Sequence, residues 1–108
     1  MKTKTLMLEA CKEMSPLWKE VERRDRSLAD QGRRAMQSMV LQFAEGSYAY
    51  QGNRRAKLLG ARAEANETRA CLELANACDL LSEPSVQPSI DKLDRIAATL
   101  WLEVHRPF

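Results

Sequence analysis

Few side chains in this chain of 108 residues have the type and spacing that chemistry requires. The densest group is Tyr48, Tyr50, Arg54, Arg55 and Lys57, two aromatics followed closely by three cations. Aromatic rings interleaved with basic groups stack on exposed bases and neutralise phosphates, so this group is a candidate surface for single-stranded nucleic acid. Two tyrosines folded back onto the body of the domain is the commoner outcome of such a pattern. Arg23, Arg24, Arg26, Arg33 and Arg34 form a second basic run, and phosphate contacts from both runs would sum. Glu45 and Glu67 could pair for acid and base work, although the neighbouring arginines make ordinary ion pairs the simpler account.

Cys11, Cys71 and Cys78 are an odd set. The last two, on one helix, would stand about 10.5 Å apart along its axis, beyond the reach of a disulfide. Free thiols in a reducing compartment are the reading. A zinc site lacks its ligands, since His105 is the sole histidine and no CxxC is present. No phosphate-cradling glycine loop and no nucleophile with a base and an orienter can be found. No catalytic, cofactor-binding or metal-ligating residue is therefore assigned, and the chain is expected to be a non-enzyme without a cofactor.

Composition sets the stage for these groups. Charged residues make up 30% of the chain with only four glycines and four prolines, which speaks against disorder or a collagen-like repeat. No apolar run approaches the roughly 20 residues of a membrane span, and Leu6 to Cys11 is too short and too charged for a secretory leader. A cytoplasmic location with no membrane contact is expected. The net charge of +2 is unevenly spread. Residues 19–62 hold ten basic groups against five acidic ones, a balance of +5, and residues 63–108 hold four against eight, a balance of −4. Such asymmetry attracts polyanions, or lets opposite halves of neighbouring subunits meet.

The elements that must position these residues are helices. The stretch from Asn53 to Leu81 has no proline, and Ala, Leu, Glu, Lys and Arg fill most of it. Leu58, Ala61, Ala65, Thr68, Leu72 and Ala75 make one apolar stripe, and Leu59, Ala63, Ala70, Leu74, Ala77 and Leu81 a second, rotated from the first. A rod of about 42 Å with two apolar faces needs helical neighbours. The first helix runs from about Lys4 to Arg24 with Met7, Cys11, Met14, Trp18 and Val21 inward, Trp18 as a core anchor, and a kink at Pro16. The second runs from about Leu28 to Ala44, entered through Ser27 and Asp30 as a capping pair. Its buried stripe is Leu28, Gly32, Ala35, Met39 and Phe43. Beside it lies a polar line of Gln31, Arg34, Ser38, Gln42 and Glu45, either solvated or hydrogen-bonded across the bundle. Gln42, Glu45 and Glu67 are assigned to an internal polar network of that kind. Glu45 to Asn53, with Gly46 and Gly52, reads as a loop that Asn53 ends as N-cap. Ser82 to Pro88 is a turn, and Ser89 caps a last helix, about 89–105, with Leu93, Ile96, Ala97, Leu100, Trp101 and Val104 inward. The expected fold is all-α, one antiparallel up-down-up-down four-helix bundle over residues 1–108, with helices at about 4–24, 28–44, 53–82 and 89–105.

Two segments go beyond periodicity. Arg33-Arg34-Ala35-Met36-Gln37-Ser38, continuing to Phe43-Ala44-Glu45-Gly46-Ser47, with Leu28 and Gln31 upstream, resembles the second-helix signature of the four-helix-bundle proteins encoded in bacterial 23S ribosomal RNA intervening sequences. Ala61-Arg62-Ala63-Glu64-Ala65-Asn66-Glu67, followed by Leu72-Glu73-Leu74-Ala75, resembles its third-helix signature. The resemblance implies a homo-oligomer, a ring of five antiparallel bundles. It also implies kinship with the accessory variability protein of diversity-generating retroelements, which works beside a reverse transcriptase and nucleic acid. The expected function is non-catalytic binding of RNA or DNA by a basic surface, as an accessory to a reverse transcriptase or ribosomal RNA element. The alternative is a purely structural or protein-binding adaptor.

Overall fold

In the computed structural model, which describes residues 2–106, four helices follow one another: α1 (Lys2–Glu22), α2 (Arg26–Ser47), α3 (Gln51–Ala77) and α4 (Glu83–His105). No strand occurs among the described residues. Each helix packs against its sequence neighbours, and α4 closes on α1, so the fold is the expected antiparallel up-down-up-down bundle, 45 × 22 × 19 Å. The α2–α3 seam is the most extensive and the α1–α4 seam the thinnest.

The inward stripes are those that helical spacing dictates. Met7, Met14, Trp18 and Val21 of α1, Met39 and Phe43 of α2, Leu58, Ala61, Ala65, Leu72 and Ala75 of α3, and Leu93, Ile96, Leu100 and Val104 of α4 meet in one core. Trp101 is an exception to its stripe. It is half-exposed and stacks on His105, ring centroids 3.9 Å apart. The second stripe of α3 is not buried either: Leu59, Ala63, Ala70, Leu74 and Ala77 face outward and only Leu81 turns in.

The helix ends depart from the sequence reading. Asp25, not Ser27, caps α2, its Oδ1 accepting from the Leu28 amide at 3.0 Å. Ser82, not Ser89, caps α4, its Oγ accepting from the Ser85 amide at 3.3 Å. Pro84 sits in the first turn, where its missing N–H costs nothing. Ser89 lies fully buried a turn and a half inside α4 and donates to Glu13 of α1 at 3.0 Å, while Lys92 holds the other oxygen of Glu13 at 2.9 Å. That carboxylate is a polar rivet in the thinnest seam. Helix α1 passes through Pro16 without ending.

Helix α3 stops at Ala77, four residues before its apolar pattern does. Asp79 takes the left-handed conformation at φ 60°, the Leu80 amide reaches back to the Ala75 carbonyl at 2.8 Å and the Asp79 amide to Asn76 at 3.1 Å. This is the paired hydrogen bonding of a Schellman cap, in which Asp fills the place glycine usually takes. The Asn76 side chain secures the exit by donating to the Leu81 carbonyl at 3.0 Å.

The largest difference lies between α2 and α3. The expected loop over residues 45–53 shrinks to residues 48–50, Asn53 lies inside α3, and the N-cap position falls to Tyr50, which makes no side-chain cap. Gly46 reads as a breaker but serves as a spacer: a Cβ there would meet Lys57 Cβ at 3.2 Å and Leu58 at 3.4 Å. Two more glycines admit side chains. A Cβ on Gly32 would fall within 3 Å of three ring atoms of Trp18, and one on Gly60 would overlap the Gln42 amide.

Cys71 is buried, Cys11 half-buried and Cys78 exposed at the end of α3, all three free. Burial pushes the Cys11 thiol above its ordinary value, and burial with the nearby Glu67 carboxylate does the same to Cys71. Both stay protonated and poorly nucleophilic.

Two measurements test this packing. The Trp18 ring is rigid and enclosed, so Gly32→Ala is expected to cost about 1–3 kcal/mol from overpacking, against at most about 1 kcal/mol regained in helix propensity. Gly60→Ala meets only the end of a flexible glutamine and is expected to leave the thermal midpoint unchanged or raised. Titration of the native protein with a thiol-reactive dye is expected to label Cys78 rapidly, and Cys11 and Cys71 only after denaturation.

Candidate nucleic-acid interface

The antiparallel path decides which basic residues can act together. The start of α1, the end of α2, the start of α3 and the end of α4 share one end of the bundle, and the α1–α2 and α3–α4 links share the other. Tyr48, Tyr50, Arg54, Arg55 and Lys57 therefore stand at one end. Arg23, Arg24 and Arg26 stand at the opposite end, with Arg33 and Arg34 about two turns along α2 from them. The ten residues chosen from sequence do not form one surface.

Charge separates the two ends further. At the tyrosine end, the seven terminal residues of each helix with the 48–50 link and Arg106 carry Lys2, Lys4, Arg54, Arg55, Lys57 and Arg106 against Glu45 and Glu103, a net +4. At the other end, the seven terminal residues of each helix with the 23–25 and 78–82 links carry Lys19, Arg23, Arg24 and Arg26. Against these stand Glu20, Glu22, Asp25, Asp30, Glu73, Asp79 and Glu83, a net −3. The second arginine run is thus outweighed by carboxylates, several of them brought back by the α3–α4 turn. Arg24 donates to the Asp79 carbonyl, Arg26 lies 3.9 Å from Asp30, and Arg33 is shared between Glu22 and Asp30. Arg23 lines a hollow of about 340 Å³ with Glu20, Arg24 and Leu80. Arg34 is exposed on α2.

At the basic end, Arg54 lies 3.2 Å from Glu103, which Arg106 also approaches at 3.8 Å, so one carboxylate answers two cations. Lys57 meets Glu45 at 2.9 Å on the surface. Tyr48 and Tyr50 are not folded back: they are 92% and 91% exposed at the two edges of the link. Between α1 and α2 a cleft of about 310 Å³ is lined by Lys4, Phe43, Ala44, Ser47 and Tyr48. A smaller one of about 120 Å³ adjoins it, with Thr3, Arg54, Leu58 and Glu103 in its wall, and Phe43 and Ser47 common to both. Lys2, Lys4 and Arg106 were absent from the sequence-based choice. The signal for them was the even number of antiparallel helices, which must return the first and last helical turns to the 48–50 link.

The residues assigned to an internal polar network are dispersed within the chain. Gln42 packs on Gly60 and donates to Ser38 Oγ at 3.1 Å. Glu45 pairs with Lys57, and Glu67 is exposed ten residues further along α3, about 15 Å along its axis. The two glutamates therefore do not form a carboxylate pair within one chain. Among the described residues no three His, Cys, Asp or Glu side chains converge as a metal would require, and no helix is long and apolar enough to cross a membrane.

No curated protein sequence matches the chain. Among solved structures, a protein of unknown function from the S23 ribosomal protein family of Bacteroides thetaiotaomicron VPI-5482 superposes with a TM-score of 0.89 at 21% identity, over 96% of this chain and 99% of that one. At that identity the likeness speaks for the bundle itself. The family model of the 23S rRNA-intervening sequence proteins matches residues 2–101, nearly the whole chain. The resemblance carried by the second and third helices thus extends across all four, and the chain belongs to the 23S rRNA-intervening sequence protein family.

Proposed function

We propose that the protein binds RNA or DNA without catalysing a reaction, through the basic end of the bundle, as an accessory to a reverse transcriptase or ribosomal RNA element. The observation that carries this reading is the division of charge along the bundle, +4 at the tyrosine end against −3 at the other. Cations gathered at one end reach one stretch of phosphates together, and each phosphate neutralised releases condensed counterions. Arg54, Arg55, Lys57, Lys2 and Lys4 carry the contact. Arg23, Arg24 and Arg26, set among carboxylates, do not.

Self-association belongs to the same proposal. The outward stripe of α3, Leu59, Ala63, Ala70, Leu74 and Ala77, lies opposite that helix's core face, and its small residues let a second copy come close. A ring of copies, five by resemblance, presents several basic ends to one strand, and linked weak contacts gain affinity through effective concentration. The same stripe favours a second reading, a structural or protein-binding adaptor, in which the basic end meets acidic protein surfaces such as the −3 end of a neighbouring copy.

Salt titration of binding to a generic RNA separates the two. Replacing Arg54 and Arg55 by Ala is expected to lower the slope of log affinity against log salt by about one for each phosphate contact removed, while Arg23→Ala and Arg24→Ala leave it unchanged. A slope indifferent to Arg54 and Arg55 speaks for the adaptor. Independently, Leu74→Glu is expected to shift the sedimentation coefficient toward that of one chain, with the helical circular dichroism preserved.

A further inference from the structure

Tyr48 and Tyr50 are the most exposed large hydrophobic side chains among the described residues, 92% and 91% accessible, against 62% or less for every other large apolar residue at the surface. A tyrosine ring is among the largest stores of burial energy available to a chain. The neighbouring hollow between α1 and α2 would admit aromatic surface, yet its wall takes up only a small part of Tyr48. Both rings project from a link of three residues whose hydrogen bonds are those of the flanking helices: the Tyr48 amide bonds Glu45 and the Arg54 amide bonds the Tyr50 carbonyl. Helices α2 and α3 thus hold both residues at fixed backbone positions, at most about 7 Å apart.

Cations at the same end of the bundle are placed to follow a strand. Lys4 shares the 310 Å³ hollow with Tyr48. Arg54 and Lys57 stand in the first two turns of α3 behind Tyr50, each oriented by a carboxylate on a neighbouring helix, Glu103 or Glu45. A duplex presents phosphates to such a surface but keeps the faces of its bases stacked on one another. A strand without a partner offers both, and aromatic side chains bind the base faces with little regard for sequence.

Resting on the proposal that the basic end binds nucleic acid, we infer that its ligand is an unpaired strand, with Tyr48 and Tyr50 stacking on neighbouring bases while Lys4, Arg54 and Lys57 follow the phosphates. The contact is sequence-tolerant, and the hydroxyls of the tyrosines are dispensable to it.

The test is fluorescence anisotropy of the full chain with a labelled mixed-sequence RNA strand of about 16 nucleotides, its blunt duplex, and vesicles rich in anionic lipid. The single strand is expected to bind at least several-fold more tightly than the duplex. Tyr48→Ala and Tyr50→Ala should each weaken strand binding by about five- to a hundredfold with little effect on the duplex, and Tyr48→Phe and Tyr50→Phe should retain it. Because the rings pack on so little, thermal midpoints of the four variants should stay at the wild-type value, which excludes misfolding as the cause of a loss. Equal binding of strand and duplex, unaffected by the tyrosine variants but lowered by Arg54→Ala, overturns base stacking and leaves the basic end as a phosphate site. Failure to bind either RNA at low salt overturns the underlying proposal as well, and binding to vesicles alone replaces the strand by a lipid surface.

Discussion

The bundle depends on how closely α2 is allowed to approach its two neighbours. At each seam a missing side chain sets the distance. Gly32 receives the fully buried Trp18 ring from α1, Gly46 lets the end of α2 lie against Lys57 and Leu58, and Gly60 of α3 receives Gln42. Interiors packed to crystal-like density do not absorb an extra methyl group easily. The register of α1, α2 and α3 is therefore constrained chiefly at Gly32 and Gly46, whereas at Gly60 the flexible end of Gln42 can yield. Helix α4 completes the bundle by a different means: besides its apolar stripe it relies on polar links, Glu13 to Ser89 and Lys92, Arg62 to the Ala97 carbonyl, and Arg69 to Asp94.

Periodicity made the core legible. The spacing of Met7, Met14 and Trp18, of Leu58, Ala61, Ala65, Thr68, Leu72 and Ala75, and of Leu93, Ile96 and Leu100 is enough to orient each helix, because burial of one face is the dominant favourable term. Helix ends were less legible because residue types there have more than one use. Glycine at position 46 signals a break from local propensity, yet it packs closely against α3 within the last turn of α2. Ser89 resembles a cap, yet Glu13 of another helix claims its hydroxyl. The outward stripe of α3 shows the reverse error, since apolar residues at helical spacing need not face the helix's own chain. In each case a tertiary contact, invisible along the sequence, overrode a sound local preference.

The candidate site was legible in part for the same reason. Tyr48, Tyr50, Arg54, Arg55 and Lys57 are neighbours in sequence and remain so in space. The arginines of residues 23–34 are neighbours of one another, but the turn after α3 returns Asp79 and Glu83 beside them, and Glu22 and Asp30 engage Arg33. A charge balance taken along the chain gave +5 to residues 19–62 as a block. Folding back and forth divides that block between two ends of opposite sign, and transfers Lys2, Lys4 and Arg106 to the end that holds the tyrosines.

That division makes the rod a long electric dipole. A polyanion at several ångströms exerts a torque that turns the tyrosine end toward it and the carboxylate end away, which for the proposed nucleic-acid ligand would make encounters begin in the binding orientation more often than chance allows. The advantage fades as ions shorten the reach of the field to about 8 Å in physiological salt. Polarity of this kind belongs to the topology as much as to the residues: the same helices joined in another order would scatter the same charges and leave no axis to steer by.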